Sequence, residues 1–314
     1  MREWARARCG LISKCVASFV QRAVVTDFVQ FAIAGITIGS IYGLIALGFS
    51  IIYKASDVVN FSQGEFLMIG GMATVNLLAL GVPMILAIVL AVLCAVIVSI
   101  IVEKVALEPA IGSGVTPLII ITIGVSIFLR GVAQILWGKN FHSLPPFTGK
   151  DTIYVLSAPV EPQVFWIIGV SLTMVLLLWL FFNHSKLGRA FRAVSDNMTA
   201  AKIVGIDPKQ ILMLSFALSA IAGAIGGILV APLTLTSHDV GVMLGLKGFS
   251  AAILGGLGNP IGAFVGGILV GLVETFTAGY LSSAYKDAVA IVIILLVIFF
   301  RPKGLFGGLT SARV

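Results

Sequence analysis

Four ionisable side chains stand within or beside long apolar stretches of this 314-residue chain: Glu65, Arg130, Lys247 and Glu274. A charge in apolar surroundings is costly, so each is a candidate for binding a polar ligand, holding a gate or coupling an ion. Glu65 is the strongest candidate, because it closes the polar patch Asn-Phe-Ser-Gln-Gly-Glu at 60–65 between two apolar runs. Arg130 and Glu274 could equally lie near helix ends, where long side chains reach polar surroundings.

We find no catalytic motif in this sequence. The glycine-rich run at 252–260 lacks the following Lys-Ser or Lys-Thr of a phosphate-binding loop, and no GxSxG nucleophile elbow is present. The three cysteines form no CxxC pair and the three histidines are far apart: Cys9, Cys15, Cys94, His142, His184 and His238. We therefore expect no enzyme activity, no metal site and no cofactor.

Composition then defines the setting of these residues. Hydrophobic residues make up 59% of the chain and charged residues 11%, against roughly 45–50% and about 25% in soluble domains. A folded sphere with so few charges could not cover its surface with polar groups. The composition excludes an ordinary soluble protein, a disordered chain and a nucleic-acid-binding domain, and it predicts a polytopic membrane protein.

Uncharged runs long enough to cross a bilayer recur along the chain. We predict an all-α membrane protein of about eight transmembrane helices, with a broken or re-entrant segment before Pro260. The runs are 28–53, 66–102 divided in two at 81–83, 109–129 continued past Arg130 to about Trp137, 164–182, 211–231, 248–273 and 288–300.

Glycines cluster within these runs in two ways. GxxxG pairs begin at Gly35, Gly223 and Gly267, and this spacing favours close helix packing. The denser group Gly255, Gly256 and Gly258 precedes a proline and predicts irregular backbone at membrane depth, which is tolerated only where it is buried in protein or lines a cavity. Broken helices of this kind often flank transport pathways.

The net charge of +7 is concentrated in three segments: residues 1–27, 184–210 and the tail 301–314. Basic short loops stay on the cytoplasmic side, whereas the electrically balanced loop 138–163 should face outward. Five spans separate the N-terminal segment from the 184–210 loop, and an odd number places them on opposite sides. Either the N-terminal segment lies outside despite its charge, or a broken segment near 57–65 changes the parity.

The 184–210 loop is basic, helix-forming and ends near Gly205, which suits a helix C-cap. A solvated connector would explain it. A short helix with a small-residue face is also what a cytoplasmic partner could dock against.

Several of these stretches resemble the permease subunits of branched-chain amino acid ABC importers, of the Liv H type. The likeness covers about residues 28–307 and is carried by 39–48 (GSIYGLIALG), 59–66 (VNFSQGEF), 188–193 (GRAFRA) with 200–206, 247–258 (KGFSAAILGGLG) and 301–307 (RPKGLFG). It implies the ABC importer permease fold, with residues 1–27 outside it, a permease domain at 28–300 including a coupling loop at 184–210, and a basic tail at 301–314.

The resemblance also implies roles for individual residues. Contacts with an ATPase would be made by Gly188, Arg189, Ala190, Arg192, Ala193, Ala200, Ala201, Gly205 and Ile206. The translocation route or the interface with a companion permease would involve Asn60, Phe61, Gly64, Glu65, Gly255, Gly256 and Gly258.

The function that follows is a passive pathway for hydrophobic, branched-chain amino acids in the bacterial inner membrane. Its implied partners are a second related permease, two ATPase subunits, a periplasmic or lipid-anchored binding protein and the lipid bilayer; no nucleic acid and no cofactor are expected. One alternative is an ABC permease for urea or short amides. A rival of another class is an ion-coupled secondary transporter, which would need an essential intramembrane carboxylate and no ATPase. An intramembrane enzyme is the most distant alternative.

Overall fold

The computed structural model describes the backbone of residues 2–149, 151–155 and 158–307, and their side chains from residue 25 onward except 290, 293 and 294. Most side chains of the predicted basic N-terminal segment, 1–27, and the tail beyond 307 lie outside the described residues. The described part folds into α1 (Arg2–Ser56), α2 (Gln63–Ala79), α3 (Met84–Val102), α4 (Val115–Trp137), α5 (Pro162–His184), α6 (Lys186–Asp196), α7 (Met198–Ile203), α8 (Pro208–Val230), α9 (Val240–Gly255), α10 (Pro260–Tyr280) and α11 (Lys286–Phe300), with a hairpin of β1 (Ile153–Val155) and β2 (Ala158–Val160).

Eight of these helices correspond to the eight predicted spans: α1, α2, α3, α4, α5, α8, α10 and α11. Within the described residues, six helical segments are long and apolar enough to cross a membrane, namely Val25–Ser56, Met84–Ala110, α4, α5, α8 and α10. The fold class is confirmed. The run 248–273 is not one helix, because it contains the end of α9, a turn at 256–259 and most of α10.

Helix α1 is the centre of the bundle. In its span 89% of the most apolar window is buried, against 22% for α4 and for α5. Glycines set its antiparallel packing on α10: a Cβ added to Gly35 would lie 2.9 Å from Leu272 Cα, and one added to Gly39 would lie 2.6 Å from Ile268 Cα. No side chain fits at such a crossing, which confirms helix packing as the role of these GxxxG pairs.

Helix α8 gives the direction of the bundle. It begins just after the basic loop 184–207, and we call this end of the molecule the cytoplasmic end because basic loops stay in the cytoplasm. Along α1, Leu44 faces Gly226 and Gly48 faces Ser219, so α1 runs antiparallel to α8. Residue 25 therefore lies at the outer end, opposite the basic loop.

The segment 57–62 between α1 and α2 is not helical, but it does not change the side of the bundle on which residue 25 lies. Helix α1 ends where Asp57 adopts a left-handed φ of 57°, a conformation that aspartate tolerates better than most residues. Gln63 then contacts Gly48 and Ser219, and further along α2 Gly70 faces Ala224. Helix α2 thus runs parallel to α8, towards the outer end. Of the two alternatives that the charge pattern allows, the fold agrees with the first.

The turn between α9 and α10 lies at the cytoplasmic end and is covered by the chain after α11. Asn259 Oδ1 accepts from Gly262 N at 3.2 Å and caps α10, as an asparagine before a proline at the first helical position should. Leu305 N and Phe306 N donate to the carbonyls of Leu254 and Gly255. At the outer end, the β1–β2 hairpin precedes α5, and His142 pairs through its backbone with Thr236 of the α8–α9 loop.

Candidate functional site

Helices α6 and α7 form a capped, two-helix segment outside the bundle at the cytoplasmic end. Ser185 Oγ accepts from Gly188 N at 2.8 Å at the start of α6, and Asn197 Oδ1 accepts from Ala200 N at 2.9 Å at the start of α7. These are the side chains that helix N-termini prefer. Helix α7 ends at Ile203, and the chain then turns into α8 at Pro208. The segment is therefore made of two capped helices rather than an irregular connector.

Gly205 closes this segment as the C-cap that the sequence predicted. Its φ is +85°, Gly205 N donates to Lys202 O, and Ile206 N donates to Ala201 O, both at 3.0 Å. This pair of bonds is the Schellman motif, in which a left-handed glycine satisfies the last carbonyls of a helix. A Cβ added to Gly205 would meet no atom within 4 Å, so its role here is conformational.

The nine residues expected to contact an ATPase divide between two faces. Gly188 and Ala201 are buried inward, with the place of a Gly188 Cβ occupied by the carbonyl oxygen of Phe181. Ala190, Ala193 and Ile206 are half-buried against the core. The exposed members are Arg189, Arg192, Ala200 and Gly205.

Apolar residues that the sequence analysis did not single out are exposed on α7 and at its C-terminal end. Ile203 is 83% exposed, Val204 72% and Met198 42%. Isolated apolar side chains on a surface are ordinary, but here three of them fall within the seven residues 198–204 of a basic segment. Their presence in an otherwise polar loop was a signal that could have identified them. We call Met198, Ile203 and Val204 the α7 apolar face.

The polar patch 60–65 lies inside the chain, between α2, α4 and α8. Asn60 Oδ1 accepts from Ser62 N and Oγ at 3.0 and 2.6 Å, which shapes the turn before α2. Gln63 Nε2 donates to Ser219 O at 3.1 Å, and Ser219 Oγ donates to Gln63 Oε1. Phe61 N donates to Thr122 Oγ1 at 3.2 Å. Both ends of the patch are therefore fixed to neighbouring helices.

Glu65 is 1% exposed and only half satisfied. Its Oε1 accepts from Ser126 Oγ at 2.7 Å and lies 3.5 Å from Arg130 Nε. Its Oε2, like Nδ2 of Asn60, has no hydrogen-bond partner among the described residues. Gly64 packs its backbone directly on Gly241 of α9. These predicted pathway residues are buried in this chain, and any contact with a second permease stays a prediction.

Asp239 adds a charge on the outer side of the same region, just before α9. The hydrogen bond that Ser237 Oγ donates lowers the pKa of Asp239, and Arg130 also favours its ionised form. Asp239 is therefore an anion at neutral pH.

The three glycines at 255–258 contact other parts of this chain. Gly255 packs on Gly262 of α10, Gly256 with a φ of +109° lies against Gly307 of the tail, and Gly258 with a φ of +85° lies beside Tyr53. These contacts account for the glycines by intrachain packing. Their place on a translocation route stays a prediction.

A second ionic network joins four helices in the outer half of the bundle. Lys247 Nζ lies 2.7 Å from Glu274 Oε1 and 2.8 Å from Asp287 Oδ1, and Tyr42 Oη donates to Glu274 Oε2 at 2.9 Å. Lys286 Nζ lies 3.5 Å from Glu274 Oε1. Sequence reasoning named Lys247 and Glu274 separately and gave no reason to pair them. Among the described residues, no three His, Cys, Asp or Glu side chains are placed to hold a metal ion.

Comparison with known proteins agrees with this architecture. Residues 31–298 match the family model described as branched-chain amino acid transport system / permease component. The chain is 32% identical over 296 residues to the high-affinity branched-chain amino acid transport system permease protein LivH of Escherichia coli (strain K12), covering 89% of this chain and 96% of that one. It is 31% identical over 294 residues to BraD of Pseudomonas aeruginosa, with the same coverage.

More distant likenesses extend to other importers and to a solved structure. The ribose import permease protein RbsC of Escherichia coli is 23% identical over 84% of this chain. A chain of PsaBC from Streptococcus pneumoniae in complex with Fab shares the fold, with 16% identity, a TM-score of 0.50, and coverage of 92% of this chain and 97% of that one. The match over most of the chain and the identity to LivH and BraD together show that this protein belongs to the family of branched-chain amino acid transport system permease components.

Proposed function

We propose that this chain is the permease subunit of an ATP-driven importer of branched-chain amino acids. The observation that carries the proposal is the similarity to LivH and BraD over 89% of the chain, joined to a partly exposed segment of two capped helices between α5 and α8. The sequence contains no phosphate-binding loop, so ATP hydrolysis is assigned to two separate ATPase subunits. A second permease and a substrate-binding protein complete the proposed assembly.

The α7 apolar face and the neighbouring exposed Arg189 are the proposed contact with an ATPase. Ile203 and Val204 offer apolar area that the chain itself leaves uncovered, while Arg189 adds charge beside it. An apolar centre with a polar rim is the usual composition of a protein interface. Movement of the ATPases would reach the bundle through Phe191 and Val194, whose side chains are buried in the core.

The polar patch 60–65 is the proposed border of the substrate route. A buried polar atom without a partner costs about 1–3 kcal/mol, so Glu65 Oε2 and Asn60 Nδ2 should gain partners in another state of the transport cycle. The ammonium group of an amino acid, or a water that travels with it, would satisfy the carboxylate. A glycine pair, Gly64 on Gly241, brings α2 and α9 close enough to move together.

Replacing Glu65 with Gln tests this role. The variant keeps the size of the side chain and the Ser126 hydrogen bond but removes the charge, and a hydrogen bond to a charged group is worth about 1.5–3 kcal/mol. Uptake should fall about tenfold or more while the amount of protein in the membrane is unchanged. The control is Glu161→Gln in the exposed outer loop, which should transport normally. Normal uptake by Glu65→Gln would remove this residue from the route.

Transport in proteoliposomes tests the function itself. The chain, reconstituted with its companion permease, ATPases and binding protein, should take up leucine, isoleucine and valine only when ATP is present on the ATPase side. Urea should not compete. Uptake by the chain alone, driven by a proton or sodium gradient, would instead establish the ion-coupled alternative.

A further inference from the structure

A cleft of about 300 Å³ opens at the cytoplasmic end, where α1, α5, α6 and the α9–α10 turn meet. The transport proposal assigns no ligand to it. Its polar and aromatic lining residues are Lys54, Trp179, Asn183, Arg192 and Asn259.

The cleft holds two cations without a paired anion. Among the described residues, no carboxylate lies within ion-pairing distance of Lys54 or Arg192, although the described salt bridges include five such pairs elsewhere. Asp196 attracts Lys54 from a distance, and Arg192 repels it. Two like charges beside one cavity are stabilised by a bound anion, and arginine and lysine together are the side chains that hold phosphate.

The opposite wall of the cleft is apolar and belongs to α5. Val175, Leu178 and Phe182 line it and pack towards the core, whereas Trp179 at its edge is 43% exposed. Only 22% of the most apolar window of α5 is buried within the chain, so the surface of α5 that begins at Trp179 faces lipid or a partner. Tryptophan rings prefer the level of the lipid headgroups, which places the cleft at the cytoplasmic interface of the bilayer.

We propose that this cleft binds the phosphate group of an anionic phospholipid from the cytoplasmic leaflet, with Lys54 and Arg192 contacting the phosphate and the acyl chain lying along α5. Basic pockets between transmembrane helices on the cytoplasmic side are suited to acidic headgroups. A soluble phosphate would use only the two cations. The lipid also uses the apolar wall, and this is why we assign the site to lipid.

A lipid bound here would contact both α1, the centre of the bundle, and α6, the first helix of the proposed coupling segment. It would hold Arg192 against Lys54, two groups that otherwise repel each other. An effect of anionic lipid on ATP-driven uptake would therefore follow, and this consequence alone rests on the proposed function. The binding itself requires no ATPase.

Native mass spectrometry of the full-length purified chain in detergent measures the binding directly. Phosphatidylglycerol, phosphatidylcholine with the same acyl chains, and inorganic phosphate are titrated separately. We expect phosphatidylglycerol to bind more tightly than phosphatidylcholine, and Lys54→Gln to weaken phosphatidylglycerol about fivefold, the effect of one cation near a lipid surface. Lys54→Arg should restore binding. The matched control is Lys104→Gln, which removes an exposed cation at the same end of the molecule, in the helical segment Glu103–Leu107 that follows α3. It should leave lipid binding unchanged.

Three results would overturn the proposal. Equal affinity for the two lipids would show that the phosphate site does not discriminate charge, and unchanged affinity in Lys54→Gln would place the lipid elsewhere. Inorganic phosphate that displaces phosphatidylglycerol from the wild type at equal concentration would identify a soluble anion as the ligand. Because no ATP or transport is involved, these results are independent of whether the chain imports amino acids.

Discussion

The double variant Ile203→Ala/Val204→Ala tests the proposed ATPase contact at its centre. The two side chains are 83% and 72% exposed, so the isolated chain gains little from them. Ile203 is the last residue of α7, where alanine is the better helix former, and Val204 follows it as the C-cap. The variant should therefore insert and fold as the wild type does, and any defect should arise in the assembly.

The expected loss follows from the apolar area that a partner would cover. The double change removes five carbon atoms, and burial is worth about 0.8 kcal/mol for each, or about 4 kcal/mol in all. Since roughly four-fifths of this surface is free to be buried by a partner, about 3 kcal/mol should be lost, which corresponds to an affinity about 100-fold weaker.

Binding of the purified ATPase subunit to the permease in nanodiscs measures this change, with ATP-driven uptake as the second readout. The control is Leu235→Ala/Leu281→Ala, which removes exposed apolar side chains of the outer end and should leave ATPase binding unchanged. An affinity within threefold of the wild type would refute the assignment of the α7 apolar face to the ATPase contact.

Two further outcomes are expected. Lys247→Met should destabilise the protein by about 2–4 kcal/mol, because it leaves the buried Glu274 with a weaker partner, and adding Glu274→Gln should recover much of the loss in thermal unfolding; a double variant less stable than Lys247→Met would contradict the pairing. Single cysteines at Ser143 and Ser195 in a Cys-free background should react with an impermeant thiol reagent from opposite sides, Ser143 from outside and Ser195 only after the membrane is opened, and labelling of both from one side would contradict the direction of the bundle.

The long elements of this fold could be predicted because each depends on its own residues. A run of about 20 apolar residues is long enough to cross a bilayer wherever it occurs, and proline with glycine interrupts it locally. The break at Pro260, the divided run at 81–83 and the glycine C-cap after α7 follow from such local rules. The GxxxG pair at Gly35 likewise identified a crossing, although not the helix that it crosses.

Pairings between distant helices could not be predicted, because they depend on which surfaces meet. Tyr42 and Glu274 are 232 residues apart and Gln63 and Ser219 are 156 apart, and no spacing along the chain connects them. The end of the bundle at which the N-terminal segment lies could not be predicted for the same reason. Charge counting left two answers open, and only the antiparallel packing of α1 on α8 distinguishes them.

Gly205 shows how the structure changes an experiment that the sequence alone would recommend. Loss of uptake in Gly205→Glu would be read as a lost ATPase contact, but a φ of +85° makes any bulky residue strained there, at a cost of about 1–2 kcal/mol. Asparagine tolerates this conformation and, since nothing lies within 4 Å of the added Cβ, Gly205→Asn should keep both ATPase binding and uptake close to the wild type. If Gly205→Asn lost binding as completely as Gly205→Glu, the glycine would be in direct contact with the partner and its role would not be the helix cap.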